Sequence, residues 1–270
     1  MTAPAPHRPV TTPKAIRVDP ALVVLRAQWR GVEQPGPPVI VFGSGSDEVR
    51  AGRRHEFLGT MTALGRAWLF VVDRERSFHA QPGMADRIAA LALDEMQRTG
   101  SAFVDTLGQS MGSFGAVGFA TRLPVRVALA FGPRYSPDSR IVPDPRFDHI
   151  LPRFHGRFPF PTLDAGLRAA GQAIVLYGDR GPDLAHHVRL SVPPGAIHRI
   201  LRGVGHDLPH VLRTRGQLFA LIQTALSADR AALDAVLEEI GFRDPGRLRL
   251  RERLRLAARP LARVARRLLK

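Results

Sequence analysis

Residues 101–120 read SAFVDTLGQSMGSFGAVGFA, and at their centre lies Gly108-Gln109-Ser110-Met111-Gly112, a Gly-x-Ser-x-Gly pattern. The apolar run Ala102-Phe103-Val104 leads into it. Gly112, Gly115 and Gly118 follow, mixed with Phe114, Ala116, Val117, Phe119 and Ala120. That composition suits a buried helix packed close to a sheet. A strand, a sharp turn and a helix in this order force the residue at the tip into a strained backbone conformation. Small residues two before and two after it then let neighbouring backbone pass. The bare pattern is common by chance, so its weight comes from the strand before it and the glycine-rich helix after it. A serine presented in this way is a candidate nucleophile.

Working outward, the same alternation of strand and helix recurs. Val39-Ile40-Val41-Phe42 is a short apolar run of the kind expected for a buried parallel strand, and it ends in Gly43-Ser44-Gly45-Ser46. A helix is expected from about 49 to 64, then a strand over 68–72. A second helix over 84–98 carries Ile88, Leu91, Ala92 and Met96 on one face, with Gly100 as its stop. Further strands are expected over 125–131, 173–177 and 197–201, and an opening hairpin over 15–18 and 22–29. This order predicts an α/β fold, a mostly parallel sheet with helices on both faces, filling residues 15–242. Residues 1–14, rich in Pro and Thr, lack the apolar core of a secretory signal and are expected to be a disordered lead.

Composition narrows the chemistry. A chain of 270 residues is long enough for one large core. It has no cysteine, which excludes disulfides, thiolate metal sites and a cysteine nucleophile. No run approaches the ~20 apolar residues of a membrane span, so a cytoplasmic protein is expected. The net charge of +15 is uneven: residues 243–270 hold eleven Arg or Lys against two acids, a net +9. The body is only mildly basic, and the tail is a separate element.

Three ordered signals give the chain, from about residue 20 to 226, a resemblance to the α/β-hydrolases. They are the turn at Ser110, the glycine-rich Phe42-Gly43-Ser44-Gly45 after an earlier strand, and Gly203-Val204-Gly205-His206-Asp207-Leu208-Pro209 after the last one. A looser resemblance, through residues 132–138 and 182–186, is to uncharacterised bacterial hydrolase-like proteins associated with surface-polysaccharide genes. The first resemblance implies an α/β-hydrolase fold and the chain order serine, acid, histidine.

A serine hydroxyl needs a base within hydrogen-bond reach, and the base needs a carboxylate to fix its tautomer. Of the ten histidines only His206 follows a strand and a Gly-x-Gly turn. His7 and His79 lie in terminal or polar stretches, His186 and His187 on a helix, and His210 just past Pro209. Met111 N–H, at the start of the helix, is the natural oxyanion donor. The resemblance implies Ser44 N–H as the second. For the acid the chain departs from the family, which usually shows Gly-x-x-Asp. Here Gly178-Asp179-Arg180-Gly181 puts glycine at that place. Asp183, two residues later, is taken first and Asp179, two earlier, next, with Asp138 third. Asp183 also reads as the N-cap of a following helix. If none reaches His206, the protein is a dyad enzyme or inactive.

The resemblance implies that residues 132–165 are the variable insertion where the family keeps its lid. They carry seven prolines, with Arg134, Arg140, Arg146, Arg153 and Arg157 interleaved with Tyr135, Phe147, Phe154, Phe158 and Phe160. Either the arginines and aromatics line a pocket, or the aromatics pack down onto the domain. An amphipathic helix is expected over 227–240. The tail beyond it spaces Leu250, Leu254, Ala257, Leu261, Val264 and Leu268 at steps of four and three between arginines, with Pro260 dividing it. Such a tail lies on an anionic membrane surface, binds an acidic partner, or docks on its own domain. Nucleic acid is not expected, since no recognition motif accompanies the charge. The expectation is a serine hydrolase acting on an ester or thioester, a small or acylated substrate, without a cofactor. The alternative is a non-catalytic hydrolase-like protein serving a membrane-associated or polysaccharide-assembly complex.

Overall fold

Apolar runs bounded by glycine and proline become strands here, and the longer amphipathic stretches become helices that cover them. A computed structural model describes residues 10–17, 19–28, 36–52, 55–144, 146, 150–154 and 157–246. The strands are β1 (Val10–Arg17), β2 (Leu22–Gln28), β3 (Val39–Phe42), β4 (Trp68–Asp73), β5 (Val104–Gln109), β6 (Val125–Phe131), β7 (Gln172–Gly178), β8 (Ile197–Leu201) and β9 (Phe242–Arg243). They form one sheet in the order β1-β2-β4-β3-β5-β6-β7-β8-β9. From β4 to β8 every pairing is parallel, while β1, β2 and β9 add antiparallel edges. This is the mostly parallel sheet expected from the sequence.

The helices are α1 (Asp47–Arg50), α2 (Leu58–Leu64), α3 (Met84–Thr99), α4 (Met111–Gly118), α5 (Ile150–Arg153), α6 (Asp164–Ala169), α7 (Leu184–His187), α8 (Leu208–Thr214), α9 (Leu218–Ser227) and α10 (Arg230–Ile240). Alternate strand residues serve two cores. Ile40 and Phe42 pack with residues of α3, α4 and α6, whereas Val39 and Val41 pack with residues of α2, α8, α9 and α10. With both faces covered, all of β3, β4 and β5 is buried. No described helix is long and apolar enough to cross a membrane.

Several sequence expectations shift. The helix expected over 49–64 is two short ones, because Gly52 (φ 73°) and Phe57 (φ 63°) take left-handed conformations between them. The apolar run before Ser110 contributes only Val104 to the strand. Phe103 is half exposed, and β5 instead buries Asp105 completely. That carboxylate is held by Arg66 Nη2 (2.6 Å), Arg126 Nη2 (2.6 Å) and the Val127 amide (3.1 Å). The helix expected over 227–240 starts at Arg230: Ala228 at φ 61° ends α9, and the Asp229 side chain caps α10 through the Ala232 amide. β1 begins at Val10, inside the stretch read as a disordered lead. β9 was not expected at all. Most of the basic tail, residues 247–270, lies outside the described residues.

The glycines around Ser110 are close-approach residues. A Cβ on Gly112 would sit 2.1 Å from the Phe42 carbonyl oxygen, and one on Gly108 would sit 2.3 Å from the Gly112 carbonyl carbon. Gly59, inside α2, has nothing within 4 Å of such a Cβ. Gly112→Ala should therefore cost at least about 2 kcal/mol in urea unfolding, through overpacking. Gly59→Ala should be neutral or stabilising by up to about 1 kcal/mol. Equal effects of the two would show that α4 is not seated as tightly as these distances require.

Candidate active site

β5 ends at Gln109 and α4 begins at Met111, so the chain reverses direction at Ser110 alone. Ser110 has φ 58° and ψ −118°, a region that side chains rarely adopt. The Ser110 amide donates to the Phe131 carbonyl (2.9 Å), and the Ser113 hydroxyl lies 2.7 Å from the carbonyls of Gly108 and Phe131. The turn is thus tied to both β5 and β6. Its hydroxyl lies 2.9 Å from His206 Nε2, and His206 Nδ1 lies 2.5 Å from Asp183 Oδ2. Serine, imidazole and carboxylate are in line.

The other aspartates do different work. Asp179 accepts the Gly203 amide at 2.7 Å, so it ties the turn after β7 to the turn that leads to His206. Asp138 grips Arg140, whose hydrogen bonds hold its carboxyl below the usual range. Asp183 does occupy the N-cap position of α7, but its side chain makes no capping bond there. It faces His206 instead.

Behind Asp183 lies a charge network that the sequence did not suggest. Arg134, almost fully buried, places Nη1 at 2.6 Å from Asp144 Oδ2 and 3.3 Å from Asp183 Oδ1. Arg146 Nη2 reaches Asp144 (2.7 Å) and Asp183 (3.4 Å). His186 Nδ1 accepts the Tyr135 amide at 3.0 Å, which leaves its proton on Nε2, 3.1 Å from Asp144 Oδ2. Burial pulls His186 below its ordinary value near 6.5, and the hydrogen bond to Asp144 opposes it. Two arginines against two aspartates keep the buried group near neutrality, which burial of charge demands. The insertion over 132–165 thus combines both of its readings: Phe154 and Phe160 pack into the core, while Arg134 and Arg146 face the site.

His79 differs from its expectation in a polar stretch. It is 2% exposed, edge-on to Phe42 and Phe119, and burial lowers its pKa. Ser44 lines the same cleft as Ser110 and Met111, as the two oxyanion assignments require. Its amide, however, donates to Glu56 Oε2 (2.8 Å) and its hydroxyl to Glu56 Oε1 (2.8 Å). Glu56 sits in what read as an ordinary helix, so no sequence signal marked it.

A six-stranded parallel core, a serine at a left-handed turn after β5, and an acid and a histidine after β7 and β8 together define the α/β-hydrolase fold. The sequence matches no family model and no curated protein. Solved structures do match. An esterase of Pyrobaculum calidifontis is similar at 15% identity over 81% of this chain and 85% of its own, with a TM-score of 0.53. The S-formylglutathione hydrolase from Agrobacterium tumefaciens is similar at 12% identity over 79% and 94%, TM-score 0.52. A 2,6-dihydroxy-pseudo-oxynicotine hydrolase gives 15%, 82%, 69% and 0.54. At these identities the likeness establishes the fold.

The buried histidines imply a pH dependence. A histidine that resists protonation when folded takes up its proton on unfolding, so the unfolded state binds more protons below about pH 6.5. Stability should fall as pH drops from 7 to 5, by up to about 1.4 kcal/mol per pH unit for each such group. His186→Gln should flatten that slope in urea titrations at pH 7, 6 and 5. An unchanged slope would mean that His186 is protonated in the folded protein.

Proposed function

We propose that the protein is a serine hydrolase that cleaves an ester or thioester through an acyl-enzyme. The observation that carries this reading is the unbroken line from Ser110 Oγ through His206 to Asp183. The esterases and hydrolases among its structural neighbours support it. Ser110 Oγ attacks the carbonyl carbon while His206 Nε2 takes its proton. Asp183 holds the Nδ1 proton and stabilises the imidazolium that forms. The oxyanion is met by Met111 N–H, and by Ser44 N–H once Glu56 releases it. One such donor is worth about 3 kcal/mol of barrier. His206 then protonates the leaving alkoxide or thiolate, and water repeats the sequence to free the acid.

A second reading rests on Glu56. With a carboxylate on the Ser44 amide, the loop-side donor is occupied, which suits a non-catalytic relative of the hydrolases. Fluorophosphonate labelling separates the two. The wild type should label and Ser110→Ala should not; Asp183→Asn should slow labelling by several powers of ten. A folded wild type that labels no faster than Ser110→Ala establishes the non-catalytic reading.

For the basic tail the proposal is an anionic membrane surface at the inner face, with each basic residue near it adding about 1 kcal/mol. β9 pairs with β8 through Phe242 and Arg243, so a truncation that respects the sheet ends at Gly246. Full-length protein should co-sediment with phosphatidylserine vesicles in a salt-sensitive way, and the shortened chain should not. Equal binding by both would remove the membrane role.

A further inference from the structure

We infer that Arg76 is a specificity-determining residue, and that the substrate is a compact ester carrying an anionic group of its own. The inference rests on the hydrolase reading and names the class of molecule that the site takes.

The cleft over Ser110 has a volume of about 390 Å³, room for a small molecule. Among the described residues that line it, Met111 is the one with an apolar side chain, and polar or charged side chains make up most of the rest. The cations in the wall are Arg76, Arg134 and Arg146, and the opposing acids are Glu56 and Asp207. Arg134 and Arg146 are committed to the buried carboxylates Asp144 and Asp183, and Glu56 to Ser44.

Arg76 is different. Its Nη2 meets Asp47 Oδ1 at 2.5 Å, but that aspartate is 76% exposed, and exposed pairs are weak and readily exchanged. Its Nε is buried and has no hydrogen-bond partner among the described residues. A ligand carboxylate that took the place of Asp47 would meet Nη2 and the idle Nε together, the two-point grip that guanidinium offers an anion.

The backbone that delivers Arg76 is also unusual. After β4, Arg76 (φ 53°), Phe78 (φ 54°) and His79 (φ 64°) are all left-handed, though none is glycine. Asp73, 1% exposed, holds this loop by accepting from the Glu75 amide (3.1 Å), the Ser77 hydroxyl (2.9 Å) and the His79 amide (3.0 Å). Strain of this kind persists where the surroundings enforce it, and it concentrates at ligand clamps. Here it brings a cation with an exposed, replaceable partner to the wall of the cleft that holds Ser110.

Calorimetry with succinate and butyrate, two four-carbon acids that differ by one carboxylate, tests this without turnover. Wild type should bind succinate at least tenfold more tightly than butyrate. Arg76→Lys should keep most of that preference and Arg76→Gln should erase it, while Asp47→Asn should strengthen succinate binding. Equal affinity for the two acids in wild type, or a preference that survives Arg76→Gln, overturns the assignment. Fluorophosphonate labelling in parallel keeps the two readings apart. A protein that prefers succinate but does not label sinks the hydrolase reading, and the ester with it, and leaves the anion grip at Arg76 standing. One that labels and binds both acids equally sinks this inference alone.

Discussion

The backbone of α4 lies so close to the end of β3 that only glycine fits at position 112, and the site follows from that seating. A left-handed serine costs on the order of 1–3 kcal/mol, which local hydrogen bonds alone do not offset. All eight residues of α4 are buried, with Phe114, Val117 and the adjoining Phe119 at 0% exposure. Each large apolar side chain so buried contributes roughly 1.5–3 kcal/mol. The packing of α4 therefore exceeds the strain at Ser110 and holds it in place. Because the turn is also tied to β6 through Phe131, the hydroxyl is positioned by the sheet itself.

The second constraint is electrostatic. Asp183 is 2% exposed, and burying a charge without a partner is costly. Arg134 and Arg146 pair with it, and Asp144 balances them in turn. Breaking a buried pair by removing one partner costs about 3–5 kcal/mol, so the four groups act as a unit. His186 belongs to the unit as a neutral donor, because its other nitrogen is occupied by the Tyr135 amide. Ion pairs on the surface, such as Arg230 with Asp234, carry no comparable weight.

Features set by local pattern were legible in the sequence. The parallel strands show as short apolar runs, and the turn at Ser110 shows as small residues at fixed spacing. His206 shows as the one histidine after a strand and a Gly-x-Gly turn. Asp183 was harder, because glycine stands where an acid was expected and three aspartates competed; only the fold decides which one faces His206. The buried Asp105 broke the apolar reading of β5, since its partners Arg66 and Arg126 come from elsewhere in the chain. Asp144, Glu56 and Arg76 were invisible as site residues for the same reason, and Arg134 was legible only as one of five arginines in the insertion. Each acquires its role from a partner brought near by the sheet, which no local spacing encodes.

Glu56 shows how such a partnership bears on chemistry. Its carboxylate accepts from the Ser44 amide, a charge-assisted bond worth roughly 1.5–3 kcal/mol. An oxyanion competing for that amide would gain about the same. Two like charges about 4 Å apart repel by roughly 4 kcal/mol at the effective dielectric of a protein surface, so both anions cannot share the donor. For the proposed hydrolysis, Glu56 and the oxyanion must therefore alternate on Ser44, and the exchange is close to balanced. In that proposed cycle the Ser44 amide is closed to an oxyanion at rest, with Met111 N–H left as the donor, and it opens only to a substrate bound tightly enough elsewhere in the cleft to tip that balance.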